Sequence, residues 1–281
     1  MERKLAAQQI TTGVIWKQLL SFFFPILLGT FFQQMYNTVD TIVVGRFVGT
    51  QALAAVGATA ALISLINGFF IGLSTGATVL MSQFFGANDH VGIHKAMHTG
   101  MGLSLVLGIV VTVLGMSLCR PVLVLVGTPE SCLSDSILYT RVYFAGSIFS
   151  MVYNMGSGIL RAMGDSKRPM LFLIAACFVN ILLDFLCVVW LKMGVAGAAV
   201  ATIGSQAISS ILVILVLVRL PGDTRLQPQK LGLDKHLLRR ILLVGVPAGL
   251  QFITFDLANL LIQSGICLLY TSDAADESLP V

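Results

Sequence analysis

Three acidic residues, Asp40, Asp184 and Asp256, lie inside long apolar stretches of the sequence. If these stretches cross a membrane, a charge near the bilayer centre costs between about 3 and 17 kcal/mol, so an acid kept there usually marks an ion or substrate path. Neither Asp40 nor Asp184 has a basic residue within its own stretch. The pattern favours a functional site, and the alternative is that Asp40 and Asp184 only cap or hydrogen-bond neighbouring helices.

Oxygen-bearing groups surround these acids at helical spacing. Residues four apart share a helix face, and three such pairs occur: Tyr36 with Asp40, Asn180 with Asp184, and Ala198 with Thr202. Carboxylate, amide, hydroxyl and backbone carbonyl oxygens suit a hard cation such as Na⁺. The same carboxylates could bind protons instead, so both Na⁺ and H⁺ remain open as the bound ion.

Pro25 lies inside the first apolar stretch. A proline in a helix removes a backbone hydrogen bond and clashes with the carbonyl four residues earlier, here that of Ser21, so we expect a kink. A hinge at Pro25 would let the half-helix that bears Asp40 move, and a static kink is the alternative.

His90, His94 and His98 recur every four residues around the start of the third stretch. A zinc site is one interpretation, but Asp89 is the only further ligand nearby, so we expect a solvated stripe. The sequence contains no P-loop, GxSxG or HExxH motif. We therefore predict no enzymatic activity, no cofactor and no ATP-driven transport by this chain alone.

The composition places these residues in a membrane protein. Of the 281 residues, 56% are hydrophobic and 11% are charged, with a mean hydropathy of +0.91, whereas soluble domains carry about 25% charged residues. Such a chain is not a soluble enzyme, a nucleic-acid-binding domain or a disordered protein, and its expected partner is the lipid bilayer. Composition alone leaves a channel, a transporter, a membrane enzyme and a scaffold open.

Six apolar stretches reach the roughly 20 residues that a membrane span needs, and a seventh begins near Leu237. They cover residues 18–44, 52–84, 96–119, 137–163, 170–191 and 195–220. Because they are continuous and lack the alternation of barrel strands, they predict helices. The expected fold is an all-α, polytopic membrane bundle of six transmembrane helices with a partial seventh.

A glycine ladder marks the second stretch. Gly68, Gly72 and Gly76 are spaced by four residues and fall on one helix face. A face without side chains allows another helix to approach closely in a membrane, so we expect this face to be a packing surface.

Lysine and arginine are distributed unevenly between the ends of these stretches. With the N-terminus inside, 13 of the 17 basic residues fall in inner segments, and only Arg46, Arg120, Arg141 and Lys192 fall in outer ones. Basic residues accumulate on the side that is not translocated. We therefore predict that the N-terminal segment (residues 1–17) and the loop at residues 221–236 are cytoplasmic.

A weak internal repeat links the first and seventh stretches. Asn37 follows Pro25 by twelve residues, and Asn259 follows Pro247 by twelve, at an offset of 222 residues. The offset is about one six-helix unit. This suggests that the seventh stretch begins a second copy of the first six, as in secondary transporters built from parallel repeats.

The last residues differ from the rest of the chain. Residues 267–277 (CLLYTSDAADE) resemble one reading frame of a common transposase sequencing adapter over eleven consecutive positions. We expect residues 267–281 to be adapter read-through, with the native gene breaking off near Ile266 inside a helix. The alternative is a real polar tail.

Four motifs resemble the multidrug and toxic compound extrusion (MATE) family. Residues 33–46 (QQMYNTVDTIVVGR), followed by residues 52–57 (ALAAVG), look like its first-helix signature. Residues 160–169 (LRAMGDSKRP) resemble its loop between helices four and five, and residues 245–251 (GVPAGLQ) resemble the start of its seventh helix. The similarity covers nearly all of residues 12–266.

The resemblance implies twelve helices in two six-helix lobes, and the Na⁺- or H⁺-driven export of amphipathic organic cations and drugs by a monomer in the bacterial cytoplasmic membrane. It assigns the coupling site of the first lobe to Asp40, Asn180 and Asp184, with the Ala198 carbonyl as a Na⁺ ligand and with Thr202 in the surrounding hydrogen-bond network, from which Thr202 could also bind Na⁺. Tyr36 and Asn154 then belong to the surrounding hydrogen-bond network. Asp256 lies near where some members carry an acid on helix seven, although its spacing from Pro247 does not clearly fit.

The expected organisation is therefore an N-terminal segment (1–17), a six-helix lobe (18–220), an inter-lobe loop (221–236), the start of a second lobe (237–266) and the adapter-like tail (267–281). Two rivals remain open. A lipid-linked oligosaccharide flippase of the wider superfamily should line its cavity with basic residues, whereas the spans here carry acids. The second rival is a non-transporting scaffold or an inactive fragment.

Overall fold

The computed structural model describes residues 14–221 and 224–276, which form helices and no strands. The helices are α1 (Ile15–Phe47), α2 (Thr50–Gly86), α3 (His90–Leu125), α4 (Glu130–Ala145), α5 (Ser147–Ala162), α6 (Lys167–Asp184), α7 (Val195–Val218) and α8 (Lys235–Asp276). A π-helix (Phe185–Trp190) continues α6, and a 3-10 turn (Pro228–Lys230) interrupts the linker between α7 and α8. The predictions for residues 1–13, 222–223 and 277–281 lie outside the described residues.

Six of the described helices are long and apolar enough to cross a membrane: α1, α2, α3, α6 with its π-helix, α7 and α8. The predicted all-α membrane fold is confirmed. The prediction of one continuous helix over the fourth stretch is wrong, because two helices of 16 residues each, α4 and α5, cover it. They separate at Gly146, where a Cβ atom would lie 2.4 Å from the side chain of Ile203 in α7.

Polar residues and glycines set the helix ends. The Asp89 carboxylate accepts a hydrogen bond from the Gly92 N–H (2.9 Å) and so caps α3. Asp234 does the same for α8, through the N–H groups of His236 (2.9 Å) and Leu237 (3.2 Å). Each cap satisfies donors that the first turn of a helix leaves free.

The glycine ladder of α2 packs against α8. A Cβ atom on Gly72 would lie 2.1 Å from the backbone nitrogen of Gly249, and one on Gly76 would lie 2.6 Å from that of Gly245. The two backbones are therefore in contact along this seam. Among the described helices, no other pair packs as extensively as α2 and α8, so the predicted packing role of the ladder is confirmed.

Helix α1 packs mainly on α6, and α6 packs on α7. Gly29 of α1 approaches the side chain of Leu173 in α6. Helix α1 continues across the buried Pro25. The hinge at Pro25 therefore stays a prediction.

At one end of the bundle α1, α3, α6 and α8 begin, and α2, α5 and α7 finish. We call it the basic end, because the predicted inner segments that carry most of the lysines and arginines lie there. The linker between α7 and α8 also lies at this end. The opposite end carries the connection between α3 and α4 and the residues around Lys192.

Candidate cation and substrate site

A cavity of about 500 Å³ lies between α1, α2, α4, α5, α7 and α8. Its polar lining comprises Gln33, Gln34, Tyr36, Asn37, Asp40, Thr41, Ser64, Asn67, Tyr139, Tyr143, Ser150, Asn154, Thr202, Gln206 and Asp256. Among the described residues, no lysine or arginine lines it. Its fixed charges are therefore the carboxyl groups of Asp40 and Asp256.

Asp40 joins three helices through its two carboxylate oxygens. The Asn180 amide of α6 donates to Oδ1 (3.3 Å), and the Thr202 hydroxyl of α7 donates to Oδ2 (2.9 Å). The same hydroxyl lies 3.0 Å from the Ala198 carbonyl oxygen. Because a hydroxyl has one proton, Asp40 and the Ala198 carbonyl compete for it.

Asp184 lies behind Asp40, away from the cavity lining. Asp184 and Asn180 are fully buried. Neither carboxylate oxygen of Asp184 nor the amide oxygen of Asn180 receives a hydrogen bond from an N–H or O–H donor of the described residues, although a proton on either acid would let the Asp184 and Asp40 carboxyls hydrogen-bond to each other. A buried polar oxygen without a partner is costly, and three such oxygens on one turn of α6 form a set of hard ligands suited to a cation or a proton.

The electrostatic environment of this pair is negative. The Asp184 carboxyl lies close enough to that of Asp40 to interact with it. Neither carboxyl forms an ion pair with a lysine or arginine of the described residues. The ion pair found among these residues joins Arg168 to Asp165 (3.2 Å). Two adjacent carboxylates in a low-dielectric site are not both ionised unless a positive charge joins them. The arrangement is therefore suited to binding a proton or a cation.

The remaining predicted residues take different places. Tyr36 is buried and lines the cavity. Asn154 also lines it, but its amide nitrogen donates to the Ser150 carbonyl of its own helix (2.9 Å). Asn154 thus reaches the predicted region without bonding to Tyr36 or Asp40.

Asp256 of α8 faces the same cavity from the other side. The Ser64 hydroxyl of α2 donates to its Oδ2 at 2.9 Å. A Cβ atom on Gly68 would lie 3.3 Å from the same oxygen, so the glycine leaves room for the carboxylate. The structure brings Asp256 and Asp40 to one cavity, a relation that spacing along the chain did not reveal.

Sequence reasoning missed several polar lining residues. The Asn67 amide donates to the Tyr143 hydroxyl (2.8 Å), which connects α2 to α4. Gln206 lines the same space from α7. The signal that could have found them was helical spacing, since Gln206 follows Thr202 by four residues and Asn67 follows Ser64 by three.

Comparison with known proteins places this chain in a family. A family profile described as MatE matches residues 25–186. The chain is 31% identical over 272 residues to "Probable multidrug resistance protein YoeA" of Bacillus subtilis. It is 28% identical over 268 residues to "Probable multidrug resistance protein NorM" of Thermotoga maritima.

Solved structures show the same fold. One, described as MATE in the bent conformation, superposes with a TM-score of 0.85 at 28% identity, covering 94% of this chain and 58% of that one. Another, a transporter of the MOP superfamily from Pyrococcus furiosus, gives the same TM-score, identity and coverage. It is described as having a binding pocket of reverse polarity that suggests a different function.

The matches also define how much of a relative this chain represents. The YoeA match covers 94% of this chain but 58% of that protein, and the NorM match covers 89% and 56%. The chain thus spans somewhat more than half the length of these relatives. Since the family profile covers more than half of the chain, this multi-pass membrane protein belongs to the MatE family of multidrug efflux transporters, whose members are transporters and not enzymes.

Proposed function

We propose that this chain is the N-terminal portion of a Na⁺- or H⁺-coupled antiporter that exports amphipathic organic cations across a bacterial cytoplasmic membrane. The observation that carries the proposal is the buried Asp40–Asp184 pair, which has no basic partner among the described residues, and in which both Asp184 oxygens, like the adjacent Asn180 amide oxygen, receive no hydrogen bond from a described donor. Such a pair takes up a positive charge more readily than it stays empty.

The position of Asp40 supports an ion path from the cavity to Asp184. Asp40 lines the cavity, whereas Asp184 and Asn180 lie behind it. An entering ion therefore meets Asp40 first. Neutralising Asp40 weakens its hold on the Thr202 hydroxyl, which then favours the Ala198 carbonyl at 3.0 Å. This exchange changes the link between α1 and α7.

Coupling requires that the ion and the drug prefer different conformations of the protein. The membrane potential contributes about 2.3 kcal/mol per charge per 100 mV to the driving force on the ion. In the proposed cycle, ion binding at the Asp40–Asp184 pair shifts α1, with Pro25 as the hinge, and the drug leaves on the outer side.

The cavity lining supports an organic cation as the substrate. Two carboxylates, several amides and the rings of Tyr139 and Tyr143 line a space of about 500 Å³, and aromatic faces attract cations. An anionic lipid-linked head group would place its charge against Asp40 and Asp256 with no basic partner among the described lining residues. The antiporter is therefore favoured over the flippase.

The test replaces each coupling acid by its neutral isostere. Asp40→Asn and Asp184→Asn, expressed from the complete gene in bacteria that lack their own efflux pumps, should reduce ethidium efflux to the level of cells without the gene, because neither amide binds the ion as a carboxylate does. Glu130→Gln, an exposed acid in the first turn of α4, is the matched control and should keep wild-type efflux. Wild-type efflux from Asp40→Asn or Asp184→Asn would show that the Asp40–Asp184 pair is not the coupling site.

A second arm identifies the ion. Proteoliposomes containing the complete transporter are given either a Na⁺ gradient or a pH gradient, and accumulation of the organic cation is measured. The gradient that drives accumulation identifies the coupling ion. If neither gradient does so while Glu130→Gln and wild type are equally well folded, the proposal of coupled antiport is wrong.

A further inference from the structure

The linker between α7 and α8 is docked on the bundle. The Leu226 side chain is 3% exposed and belongs to the apolar cluster that contains Met97 and Met101 of α3. Its N–H donates to the Leu217 carbonyl at the end of α7 (3.0 Å). The linker therefore turns back along the basic end and passes over α3.

His98 of α3 receives this linker. Its side chain is 4% exposed, with Nδ1 2.7 Å from the His94 carbonyl oxygen and Nε2 3.0 Å from the Gln227 backbone nitrogen. A carbonyl only accepts and a backbone N–H only donates, so the two contacts fit the tautomer that carries its proton on Nδ1 and accepts the Gln227 N–H with the Nε2 lone pair. The prediction that His98 belongs to a solvated stripe is therefore wrong, because the linker covers this histidine.

Two neighbouring residues of α3 extend the contact. The buried Thr99 hydroxyl accepts a hydrogen bond from the Asp234 N–H (3.4 Å). One turn after His98, a Cβ atom on Gly102 would lie 3.4 Å from the Gly232 carbonyl oxygen, so the bare glycine lets the linker lie close. Asp234, held by Thr99, is also the residue that caps α8.

We propose that His98 and Thr99 form a latch for the inter-lobe linker, as positioning residues that determine where α8 begins. Helix α8 carries Asp256 into the cavity and packs backbone to backbone on α2. A fixed start of α8 therefore determines the depth at which Asp256 faces Asp40. The latch lies outside the cavity, and its existence does not depend on which ion or drug is transported.

Amide hydrogen exchange of the 281-residue chain in lipid nanodiscs tests the latch directly. His98→Phe keeps an aromatic ring, slightly larger than imidazole, but has no acceptor for the Gln227 N–H, so exchange at Gln227 should become about tenfold faster. His98→Gln offers an amide oxygen that can accept the same N–H and should restore protection to within about twofold of wild type. His90→Phe, at an exposed position on the same helix, is the control and should leave exchange unchanged.

Thr99→Val provides a second variant of similar shape, which guards against misfolding of His98→Phe. It should accelerate exchange at Asp234 and leave Gln227 less affected. Equal exchange at Gln227 in wild type and His98→Phe, together with equal exchange at Asp234 in wild type and Thr99→Val, would overturn the latch.

Ethidium efflux from the complete gene tests the positioning role. His98→Phe should slow efflux, and His98→Gln should restore it. Faster exchange in His98→Phe with unchanged efflux would show that the latch does not position α8 for transport, which contradicts the proposal. A failure of coupled antiport would appear in the Asp40 and Asp184 variants and leave the exchange results untouched, so the two failures are distinguishable.

Discussion

Asp40 and Asp184 differ in their surroundings although they form one pair. Asp40 is partly exposed to the cavity and accepts hydrogen bonds from Asn180 and Thr202. Asp184 is fully buried and its oxygens receive no hydrogen bond from an N–H or O–H donor of the described residues. The donors around Asp40 stabilise its charge, whereas nothing in the described surroundings stabilises a charge on Asp184. This asymmetry fits an entry acid and an inner acid of one ion path.

Thr202 tests this division of roles. Thr202→Val keeps the shape of the side chain but removes the donor to Asp40, so the charged form of Asp40 loses a hydrogen bond worth about 1.5–3 kcal/mol. We expect the maximal rate of ethidium efflux to fall about tenfold or more. Thr202→Ser keeps the hydroxyl and should stay near wild type. Equal rates in the valine and serine variants would show that the hydroxyl has no part in coupling.

The helices that carry the site depart from regular geometry close to its residues. The π-helix begins directly after Asp184, α4 and α5 separate at Gly146, and α1 contains Pro25 fifteen residues before Asp40. Single turns of π-helix often occur at functional sites. The seam between α2 and α8 is instead tightly packed. We therefore expect movement to involve α1 and α6 more than the α2–α8 pair.

Gly72 and Gly57 provide a matched test of the α2–α8 seam. A Cβ atom on Gly72 would lie 2.1 Å from the Gly249 backbone nitrogen, whereas one on Gly57 of the same helix would meet no atom within 4 Å. Gly72→Ala should therefore destabilise the protein by about 1–3 kcal/mol, as overpacking does, and Gly57→Ala should have little effect. Thermal unfolding in detergent measures the difference. Equal midpoints for the two variants would mean that the helices are not in backbone contact.

The whole molecule has a distinct basic end, at which the linker docks and seven of the eight described α-helices begin or finish. Lysine and arginine are retained on the cytoplasmic side of bacterial membrane proteins. We therefore propose that the linker faces the cytoplasm and that the connection between α3 and α4 faces outward. The drug would then leave toward the end that carries this connection.

Single cysteines test this orientation. In a background without native cysteines, Gln229→Cys in the linker should resist a membrane-impermeant thiol reagent in intact cells and react after the cells are permeabilised. Ser131→Cys at the start of α4 should react in intact cells. Both positions are exposed, so burial does not explain a difference between them. The reverse labelling pattern would show that the proposed orientation is wrong and that the linker faces outward.

The fold class and the main acids could be predicted from the amino-acid sequence alone. Long apolar stretches have few alternatives to helices in a membrane, because every backbone N–H and C=O must be satisfied within the segment. An acid inside such a stretch is conspicuous for the same energetic reason. Asp40 and Asp184 therefore stand out from their positions in the chain, as does the glycine ladder that packs on α8.

Tertiary packing determines which of these residues meet. Asn180 and Thr202 reach Asp40 across 140 and 162 residues of sequence, and Asp256 reaches Ser64 across 192. Helical spacing reports neighbours on one helix and carries no information about which helices pack together. His98 shows the same effect: its spacing with His90 and His94 indicated a solvated face, and the linker buries it, because a contact 129 residues away outweighs the local pattern.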